Sequence, residues 1–355
     1  MSQDKENPII DANFLDYAKE HGFGDLHIKT DPKTGMLSII AIHSLKLGPA
    51  LGGCRFIEYD NPMKALYDVM RLARGMSYKA ASVGLALGGG KAVIIKPSTA
   101  FDRTQYLKTF GEFVESLNGN YITAIDSGTE LEDMDIIHEQ TSYVSTCSAL
   151  QGDPSPSTVI GVLKGIQAAS AFKWENPELK DLHIAIQGLG HVGYGLAEKL
   201  HEMGVKITVA DVNHEACTHA KEMLGATIVS PDEIHAVPCD IFAPCALGGI
   251  LNDESIPALQ TSVVAGGANN QLGHTYHGQM LHDKGILYAP DYVLNAGGLI
   301  FAANTYLNHK GSSLKPLAEQ IDHIYHSALE IFERSAQENT PTSTIADTIA
   351  QEKLA

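Results

Sequence analysis

The sequence predicts an α/β protein of two domains, and three observations support that fold class. The chain has 355 residues, which exceeds one typical domain of about 150 residues and suits two. Short apolar runs typical of strands alternate with helical segments over most of its length, and this alternation predicts parallel strands covered by helices. A polar, proline-bearing stretch at 147–158 interrupts the alternation and is typical of a segment between domains.

The first half begins with a predicted β-hairpin and a long helix. Two apolar or alternating runs within LHIKTDPKTGMLSIIAIHS flank a turn at 31–35 that contains proline and glycine. Over residues 61–81 apolar side chains recur at three- and four-residue steps, with Asn61 as the N-cap and Pro62 at the first helical position. After a run of three glycines we expect a strand at 92–95, a helix at 104–117 and a strand at 121–125.

The second half repeats a strand–helix–strand order, which predicts a parallel sheet with its ligand at the carboxyl ends of the strands. A helix at 157–172 comes first, followed by strands at His183–Gln187 and Lys206–Ala210 with a helix between them. Further apolar runs that we interpret as strands lie at 240–244, 262–267 and 286–290. Closing helices are expected at 315–337 and 343–354.

Composition restricts the functions open to the chain. Its 25 Lys and Arg against 42 Asp and Glu give a net charge of −17, and because such a surface repels a phosphate backbone, we expect no nucleic-acid partner. The start MSQDKENPII lacks the features of a secretory signal, and no apolar stretch approaches the ~18 residues of a membrane span, so we expect a cytoplasmic protein without a membrane role. The five cysteines are scattered, which favours reduced thiols over disulfides or a metal site.

A dinucleotide-binding fingerprint lies in the second half. Gly188, Gly190 and Gly193 form G-x-G-x-x-G directly after a predicted strand and at the start of a helix, where they allow a tight turn, close approach of a pyrophosphate and close packing of helix on strand. The next strand ends in Asp211, whose carboxylate can accept hydrogen bonds from ribose hydroxyls and repels a 2′-phosphate. The pattern predicts a Rossmann domain that binds NAD rather than NADP. Glycines needed only for a tight turn would leave Asp211 without a role, and we interpret His191 as a solvent-facing spacer.

Three segments of the first half carry ionisable side chains beside glycines or within a helix: GMSYK (75–79), LGGGK (87–91) and TAIDSGT (123–129). In an acidic protein Lys79 and Lys91 indicate a local positive pocket for an anionic substrate, and Asp126 is a candidate proton carrier between them. Spacing alone leaves a plainer interpretation open, in which Lys79 is a solvated helix residue and Lys91 a charge at a strand edge.

In their order and spacing, these segments resemble the Glu/Leu/Phe/Val amino-acid dehydrogenase family. The resemblance covers residues 12–354 and rests on GPALGG, GMSYKAA, LGGGKAVI, TAIDSGT, the fingerprint, APCALGG, GGANNQL and APDYVLNAGGLI. It implies an N-terminal catalytic domain with a mixed sheet, a doubly wound Rossmann domain that binds NAD, and an active site in the cleft between them. It also implies reversible oxidative deamination of an L-amino acid by NAD to the 2-oxo acid, ammonium and NADH.

The resemblance also implies roles for individual residues. Lys79 would hold the substrate carboxylate, Lys91 would act as a base on the water that attacks the imine, and Asp126 would accept the proton of the substrate amine. Asn269 would orient the substrate or the nicotinamide ribose. The cofactor contacts, including those to the nicotinamide amide, would be Thr158, Gly188, Leu189, Gly190, His191, Val192, Gly193, Asp211, Ala246, Asn269 and Asn295.

The substrate pocket that the resemblance implies is apolar and consists of Leu51, Gly52, Met76, Ala124, Leu299 and Ala302. A glutamate side chain would bury an unpaired carboxylate there at a cost of several kcal/mol, so leucine, valine and isoleucine are the expected substrates. Ile125 and Phe301 depart from the residues usual in the family. Since Ala302 enlarges the pocket and an inward-turned Phe301 would shrink it, phenylalanine or another aromatic amino acid is the alternative substrate.

Two other classes of function remain open. A catalytically silent NAD-binding sensor would not need Lys79, Lys91 and Asp126 together, and NADH formation distinguishes it from an enzyme. A hydroxy-acid dehydrogenase also uses a Rossmann half, but the sequence offers no obvious His–carboxylate pair for it, and ammonium dependence of the reverse reaction separates the two. The pairs His274/His277 and His323/His326 have a metal-ligand spacing but lack nearby Cys or carboxylate ligands, so we interpret them as polar surface and expect no metal.

The domain boundaries and the assembly follow from the same features. We predict a catalytic, substrate-binding and oligomerisation domain at 1–147 plus 326–355, and an NAD-binding Rossmann domain at 148–325. The apolar hairpin at 26–44 would leave an unpaired strand edge in a monomer, and two-fold association satisfies such an edge. We therefore expect a homodimer whose partner, besides a second copy, is a small-molecule substrate.

Overall fold

The computed structural model describes residues 14–150, 152–311 and 315–355 and divides the chain into two compact units. The first unit holds the described residues up to Gly152, residues 302–311 and Leu354–Ala355. The second unit holds Asp153–Phe301 and Lys315–Lys353. The boundary between Gly152 and Asp153 falls within the polar stretch at 147–158.

The first unit is built on a five-stranded mixed sheet of order β1-β2-β4-β3-β5, in which β1, β2 and β4 pair antiparallel while β3 is parallel to β4 and β5. Its elements are α1 (Phe14–Glu20), β1 (Asp25–Thr30), β2 (Leu37–Ser44), β3 (Ala50–Ile57), α2 (Pro62–Ser82), β4 (Gly88–Ile95), α3 (Arg103–Glu115), β5 (Tyr121–Ile125) and α4 (Leu131–His138). The mixed sheet agrees with the predicted catalytic domain.

The hairpin and the long helix form as the sequence predicts. Thr30 pairs with Leu37 at the hairpin end, and the Asp31 carboxylate accepts hydrogen bonds from the Thr34 N–H and hydroxyl, each at 2.7 Å. The Asp31 side chain thus caps the turn through its carboxylate, as aspartate often does in turns. At the start of α2 the Asn61 side chain accepts a hydrogen bond from the Met63 N–H at 2.8 Å, which is the expected N-cap.

Two glycine-rich segments, at 48–53 and 87–91, lie largely within strands β3 and β4, and the sequence did not predict strands at these glycines. β3 contains Gly52 and Gly53, and β4 begins at Gly88 rather than at residue 92. A Cβ on Gly52 would lie 1.7 Å from the Gly90 carbonyl oxygen, and a Cβ on Gly89 would lie 2.0 Å from the Ser77 nitrogen of α2. Glycine is therefore required where β3, β4 and α2 approach closely, although it weakens the usual strand pattern.

Alternate residues of the central strands build two apolar layers. On one face Ile39, Ala41 and Val93 pack in a buried cluster with α2. On the other face Ile40 and Ile42 belong to a larger cluster with α3 and α4. The period-two alternation thus gives a sheet that is covered on both faces.

The second unit is built on a six-stranded parallel sheet of order β11-β10-β9-β6-β7-β8. Its elements are α5 (Ser155–Trp174), β6 (His183–Gln187), α6 (His191–Glu202), β7 (Lys206–Ala210), α7 (His214–Leu224), β8 (Thr227–Ile228), β9 (Ile241–Pro244), α8 (Ser255–Ala258), β10 (Val263–Val264), α9 (His277–Asp283), β11 (Leu287–Tyr288), α10 (Asp291–Leu294), α12 (Leu317–Glu338) and α13 (Thr342–Leu354). Helix α11 (Gly297–His309) begins in this unit, and its residues from Ala302 onward belong to the first unit. The order reverses between β6 and β9, which is the doubly wound Rossmann arrangement with its ligand crevice at that point. The predicted fold class is confirmed.

The C-terminal helices pack within the second unit, so the division of the chain differs from the predicted one. The rings of Phe172 in α5 and Phe332 in α12 lie 5.7 Å apart, and Lys164 forms an ion pair with Asp322 at 2.7 Å. The Thr342 hydroxyl, at the start of α13, donates a hydrogen bond to the Tyr288 carbonyl oxygen at 2.6 Å. Only Leu354–Ala355 of the predicted 326–355 segment belong to the first unit.

Three further features bear on the predicted function. None of the helices that the structure describes is long and apolar enough to cross a membrane. All five cysteines are free. Within the described ranges no group of three or more His, Cys, Asp or Glu side chains is arranged to hold a metal ion.

One histidine pair differs from its predicted surface position. His277 is 1% exposed and its Nδ1 accepts a hydrogen bond from the His274 N–H at 2.7 Å. Its Nε2 lies 3.3 Å from an Asp253 carboxylate oxygen. The interpretation of His277 as polar surface is therefore wrong, because the ring is buried. Its hydrogen bond to the His274 N–H stabilises the turn before α9.

Candidate active site

A lysine and a carboxylate meet inside the first unit. Lys91 lies in the middle of β4, a strand paired on both sides, and Asp126 follows directly after β5. The Lys91 ammonium contacts Asp126 Oδ2, and the two side chains are only 10% and 16% exposed. The structure thus brings together the two predicted catalytic residues and excludes the alternative in which Lys91 is a charge at a strand edge.

The turn after β5 fixes the Asp126 carboxylate. Asp126 Oδ1 accepts a hydrogen bond from the Ser127 N–H at 2.6 Å, and the Asp126 N–H donates to the Thr129 hydroxyl at 2.9 Å. From outside the turn, the Arg103 guanidinium donates to the Gly128 carbonyl oxygen at 2.7 Å. The carboxylate is therefore held at a defined position before any substrate binds.

Arg55 is a charged neighbour of Asp126 that the sequence did not reveal. Its Nε lies 3.7 Å from Asp126 Oδ2, and its Nη1 donates a hydrogen bond to Asp68 at 2.7 Å. Burial alone raises the pKa of Asp126, but the Lys91 ammonium, the Ser127 N–H and the Arg55 guanidinium outweigh burial and hold that pKa below its usual range. Asp126 is therefore a carboxylate at neutral pH. Arg55 escaped prediction because it lies on β3, where glycines obscure the strand pattern.

Other predicted substrate residues lie on the elements around this pair. Leu51 is buried on β3, in register with Gly89 of β4 and Ile122 of β5. Ala124 on β5 is half-buried and pairs with Gly53, and Gly52 pairs with Thr123. Met76 and Lys79 are half-buried near the end of α2. The structure thus places Leu51, Gly52, Met76, Lys79 and Ala124 on two adjacent strands and one helix.

The glycine fingerprint of the second unit forms the turn between β6 and α6. Gly188 has a φ of +94°, and a Cβ on Gly193 would lie 1.9 Å from the Gly188 carbonyl oxygen. The fold itself therefore requires these two glycines. Gly190 differs, because it is exposed at the N-cap of α6 and a Cβ there would meet no atom within 4 Å among the described residues. A missing side chain at an open helix N-terminus suits the approach of a ligand phosphate.

Asp211 connects the end of β7 to the fingerprint. One carboxylate oxygen accepts a hydrogen bond from the Leu189 N–H at 2.6 Å, and the other accepts one from the Asn213 N–H at 2.7 Å. His191 is exposed at the start of α6, as expected of a spacer. Ala246 approaches from the loop after β9, since a Cβ on Gly188 would lie 2.7 Å from the Ala246 Cβ. Val192 is half-buried in the first turn of α6.

Asn295 and Asn269 form a second polar cluster in the same unit. The buried Asn295 Nδ2 donates hydrogen bonds to Asn269 Oδ1 at 2.8 Å and to the Gly267 carbonyl oxygen at 3.2 Å. Its Oδ1 is buried and has no hydrogen-bond partner among the described residues. Gln271, which the sequence did not single out, braces the loop from below by donating to the carbonyl oxygens of Gly266 and Ala268. A buried acceptor without a donor fits the amide of a nicotinamide.

The remaining predicted residues lie on α5 and α11. The Thr158 hydroxyl donates a hydrogen bond to the Pro154 carbonyl oxygen at 3.1 Å, and a Cβ on Gly298 would lie 2.8 Å from this hydroxyl. Leu299 and Ala302 follow on α11, on opposite sides of the boundary between the units. Thr158 is therefore close to the first turn of α11.

A cavity of about 560 Å³ lies beside the fingerprint. The starts of α5 and α6 line it, among them Val159, Leu189, Gly190 and His191. This volume is typical of small-molecule and cofactor sites. Together with the open Gly190 and the unpartnered Asn295 Oδ1, it shows that the residues present fit a nicotinamide dinucleotide.

Comparison with known proteins identifies a matching family, similar sequences and a similar crystal structure. Residues 25–143 match the family described as Glu/Leu/Phe/Val dehydrogenase, dimerisation domain, and residues 208–355 match Glutamate/Leucine/Phenylalanine/Valine dehydrogenase. The chain is 45% identical to leucine dehydrogenase of Thermoactinomyces intermedius, over 96% of this chain and 93% of that protein. It is 40% identical to valine dehydrogenase of Streptomyces albus, over 96% and 94%. The crystal structure of L-tryptophan dehydrogenase from Nostoc punctiforme matches with a TM-score of 0.87 and 42% identity, over 96% of this chain and 98% of that chain.

The fold and these matches define an NAD(P)-dependent oxidoreductase. More particularly, the chain belongs to the Glu/Leu/Phe/Val dehydrogenase family and is an amino-acid dehydrogenase. The family and the enzyme class that the sequence predicts are thereby confirmed.

Proposed function

We propose that this dehydrogenase converts a branched-chain L-amino acid, namely leucine, valine or isoleucine, reversibly to its 2-oxo acid and ammonium with NAD as the oxidant. The observation that carries the proposal is the contact between Lys91 and Asp126 in the buried interior of the first unit. Oxidation of an amine followed by hydrolysis of the imine moves protons at both steps. A lysine and a carboxylate in direct contact are suited to that work.

Each step has a residue of the first unit to perform it. Lys79 binds the substrate carboxylate, and Asp126 takes a proton from the substrate amine as hydride leaves Cα. NAD, when bound, supplies the acceptor for this hydride. Lys91 then removes a proton from the water that adds to the imine carbon and returns it to the amine nitrogen of the resulting carbinolamine. As the C–N bond breaks, the hydroxyl group loses its proton, and the products are the 2-oxo acid and ammonium.

The substrate class follows from the side chains near the pair. Leu51 is 2% exposed, and Met76 and Ala124 are half-buried and apolar. None of these groups would compensate a buried glutamate carboxylate, whereas a branched aliphatic side chain loses only water on binding. The names of the relatives, leucine and valine dehydrogenase, support the same class.

A substrate panel tests the proposal directly. L-Leu, L-Val, L-Ile, L-Phe, L-Trp and L-Glu are each supplied with NAD, and NADH absorbance is followed. We expect the highest kcat/KM with the three branched-chain substrates, and a reverse reaction that requires ammonium. Turnover of none of the six would favour the silent sensor, and a reverse reaction independent of ammonium would favour a hydroxy-acid dehydrogenase.

Aromatic amino acids are the second candidate substrates, favoured by one specific observation. The structure of L-tryptophan dehydrogenase matches this chain over nearly all of its length. Ala302 contributes little volume on α11, while the neighbouring Phe301 is half-buried. A higher kcat/KM for L-Phe or L-Trp than for L-Leu would move the proposal to this candidate.

Replacing Asp211 by alanine should weaken NAD binding and narrow the preference for NAD over NADP. The carboxylate is placed to accept hydrogen bonds from the adenosine ribose and to repel a 2′-phosphate, and it also braces the fingerprint through the Leu189 N–H. Kd values for the two dinucleotides, measured by fluorescence titration, give the ratio. Asp211→Asn is the matched control, because its amide oxygen can still brace the loop but carries no charge. An unchanged ratio in both variants would show that another group selects the dinucleotide.

We assign substrate binding, catalysis and association to the first unit, and the binding of NAD to the second. Strand β1 is an edge strand whose Ile28 is 61% exposed, and the dimerisation-domain family spans it. An exposed apolar edge of this kind is suited to pairing with a second copy. The free cysteines and the acidic net charge support a cytoplasmic location.

Light scattering coupled to size exclusion is expected to give a homodimer, with a mass near twice 38.1 kDa. Ile28→Lys should lower this mass toward that of one chain, because it places a charge on the proposed pairing edge. Met223→Lys, at an equally exposed apolar residue of the second unit, is the control and should remain a dimer. An octameric mass for the unaltered protein would contradict the dimer.

A further inference from the structure

Five charged side chains form a continuous line of alternating sign in the first unit. Arg71 lies 3.2 Å from Asp68, and Asp68 lies 2.7 Å from Arg55. Arg55 in turn faces Asp126 at 3.7 Å, and Asp126 contacts Lys91. The line runs from the exposed surface of α2 to the buried catalytic pair, and the proposed reaction uses only its last two members.

The Arg55 guanidinium is held in place by Asp68, which lies on the side of the group away from Asp126. Its Nη1 donates to Asp68 Oδ2 at 2.7 Å, and the same oxygen accepts a hydrogen bond from the Tyr59 hydroxyl at 2.7 Å. The Arg55 side chain is 22% exposed. Its buried Nε has no hydrogen-bond acceptor among the described residues. At 3.7 Å from Asp126 Oδ2 this N–H acts on the carboxylate through its charge.

The two cations beside Asp126 differ in one respect that matters for the reaction. As a general base Lys91 alternates between the ammonium and the amine, so its positive charge is absent during part of the cycle. An arginine guanidinium keeps its proton under all conditions in which proteins fold. When Lys91 is neutral, Arg55 is the cation that still faces the buried carboxylate.

We propose that Arg55 is a positioning residue of the dehydrogenase reaction, which keeps Asp126 ionised and turned toward Lys91 while Lys91 changes its charge. The proposal rests on the proposed function, since it concerns the proton transfers of that reaction. Arg55 is not assigned a contact with substrate. Asp68 and Tyr59 serve to hold the guanidinium in place.

The surroundings of Asp126 support this role. Lys91 faces it from β4, Arg55 from β3, and the Ser127 N–H from its own turn. Burial and the Asp126 charge together raise the pKa of the Cys54 thiol on β3. Arg103 and Asp133, on α3 and α4, neutralise one another as an ion pair at 2.7 Å. Burial raises the pKa of Asp126 and is opposed chiefly by Lys91, the Ser127 N–H and Arg55. Loss of Arg55 therefore shifts the balance toward the neutral carboxylic acid.

The test compares Arg55→Gln, Arg55→Lys and Arg71→Gln. In Arg55→Gln we expect kcat to fall by ~10²-fold, the KM for the amino acid to change little, and the acid limb of the kcat/KM profile to move to higher pH. Arg55→Lys keeps a charge at this place and should restore the acid limb in part. Arg71→Gln removes the exposed end of the same line and should leave both kcat and the acid limb unchanged.

A second measurement does not depend on turnover. In protein labelled with ¹³C in the aspartate carboxyl groups, the Asp126 signal is identified by its loss in Asp126→Asn, and its titration is followed without cofactor. A higher titration midpoint in Arg55→Gln than in the unaltered protein is expected. Unchanged midpoint and acid limb in Arg55→Gln would overturn the role of Arg55. Absence of amino-acid-dependent NADH formation in the unaltered protein would instead refute the proposed function, while the titration would still report on Arg55.

Discussion

Replacement of Lys91 by alanine is expected to reduce kcat by ~10²–10⁴-fold and to leave the Kd for NAD unchanged. The lysine lies in the middle of β4 against Asp126, whereas the fingerprint and Asp211 belong to the other unit. Loss of the lysine removes the amine that is the proposed base for the attacking water, and its protonated form is one of the two cations beside the carboxylate. Stopped-flow or steady-state NADH formation measures kcat, and fluorescence titration measures the affinity for NAD.

A neighbouring lysine provides the control for this experiment. Lys96 follows the same strand, is 42% exposed in its side chain and forms an ion pair with Glu58 at 3.2 Å. Lys96→Ala should retain full activity, because an exposed ion pair of this kind contributes little. Lys91→Met fills the buried volume without a charge and should be as inactive as Lys91→Ala. Near-normal turnover in either Lys91 variant would remove Lys91 from the mechanism.

Strands with apolar, β-branched runs could be predicted from the sequence, and strands built on glycine could not. Tyr121–Ile125, His183–Gln187 and Lys206–Ala210 are predicted to the residue, because each is a short apolar run bounded by turn residues. β3 instead carries Gly52 and Gly53, where a side chain would collide with β4 and the Asp126 turn. Periodicity cannot report a close approach of two backbones, since that approach is a property of the tertiary structure.

The same limit explains which functional residues the sequence revealed. Lys91, Asp126 and Asp211 lie beside glycine motifs or at strand ends, and ionisable side chains at such positions are typical of functional sites. Arg55 stands on the strand that was not predicted, and its importance depends on its distance from Asp126. The packing of α12 was also not predictable, because an amphipathic pattern shows that one face is buried but does not show that α5 covers it.

Asp126→Asn should lower kcat by ~10²–10⁴-fold, because the amide keeps the shape of the side chain but cannot accept a proton. It should also alter stability in a pH-dependent way. Since the pKa of Asp126 lies below its usual range in the folded protein, the ionised group stabilises the fold above the ordinary carboxyl pKa, and this contribution is lost as pH falls through the folded value. The variant leaves Lys91 and Arg55 without their shared carboxylate, and breaking a buried ion pair costs about 3–5 kcal/mol.

Urea unfolding of Asp126→Asn and the unaltered protein, at neutral pH and again in acid, separates these effects. We expect a lower free energy of unfolding for the variant at neutral pH and a smaller difference in acid, where the carboxyl group is protonated in both states of the unaltered protein. Asp135→Asn is the matched control, since the Asp135 carboxylate accepts hydrogen bonds from Ser148 away from the pair. It should retain activity.

An Asp126→Asn variant with normal turnover would show that another group takes the amine proton. A stability difference equal at both pH values would show that the carboxylate does not owe its ionisation to Lys91 and Arg55.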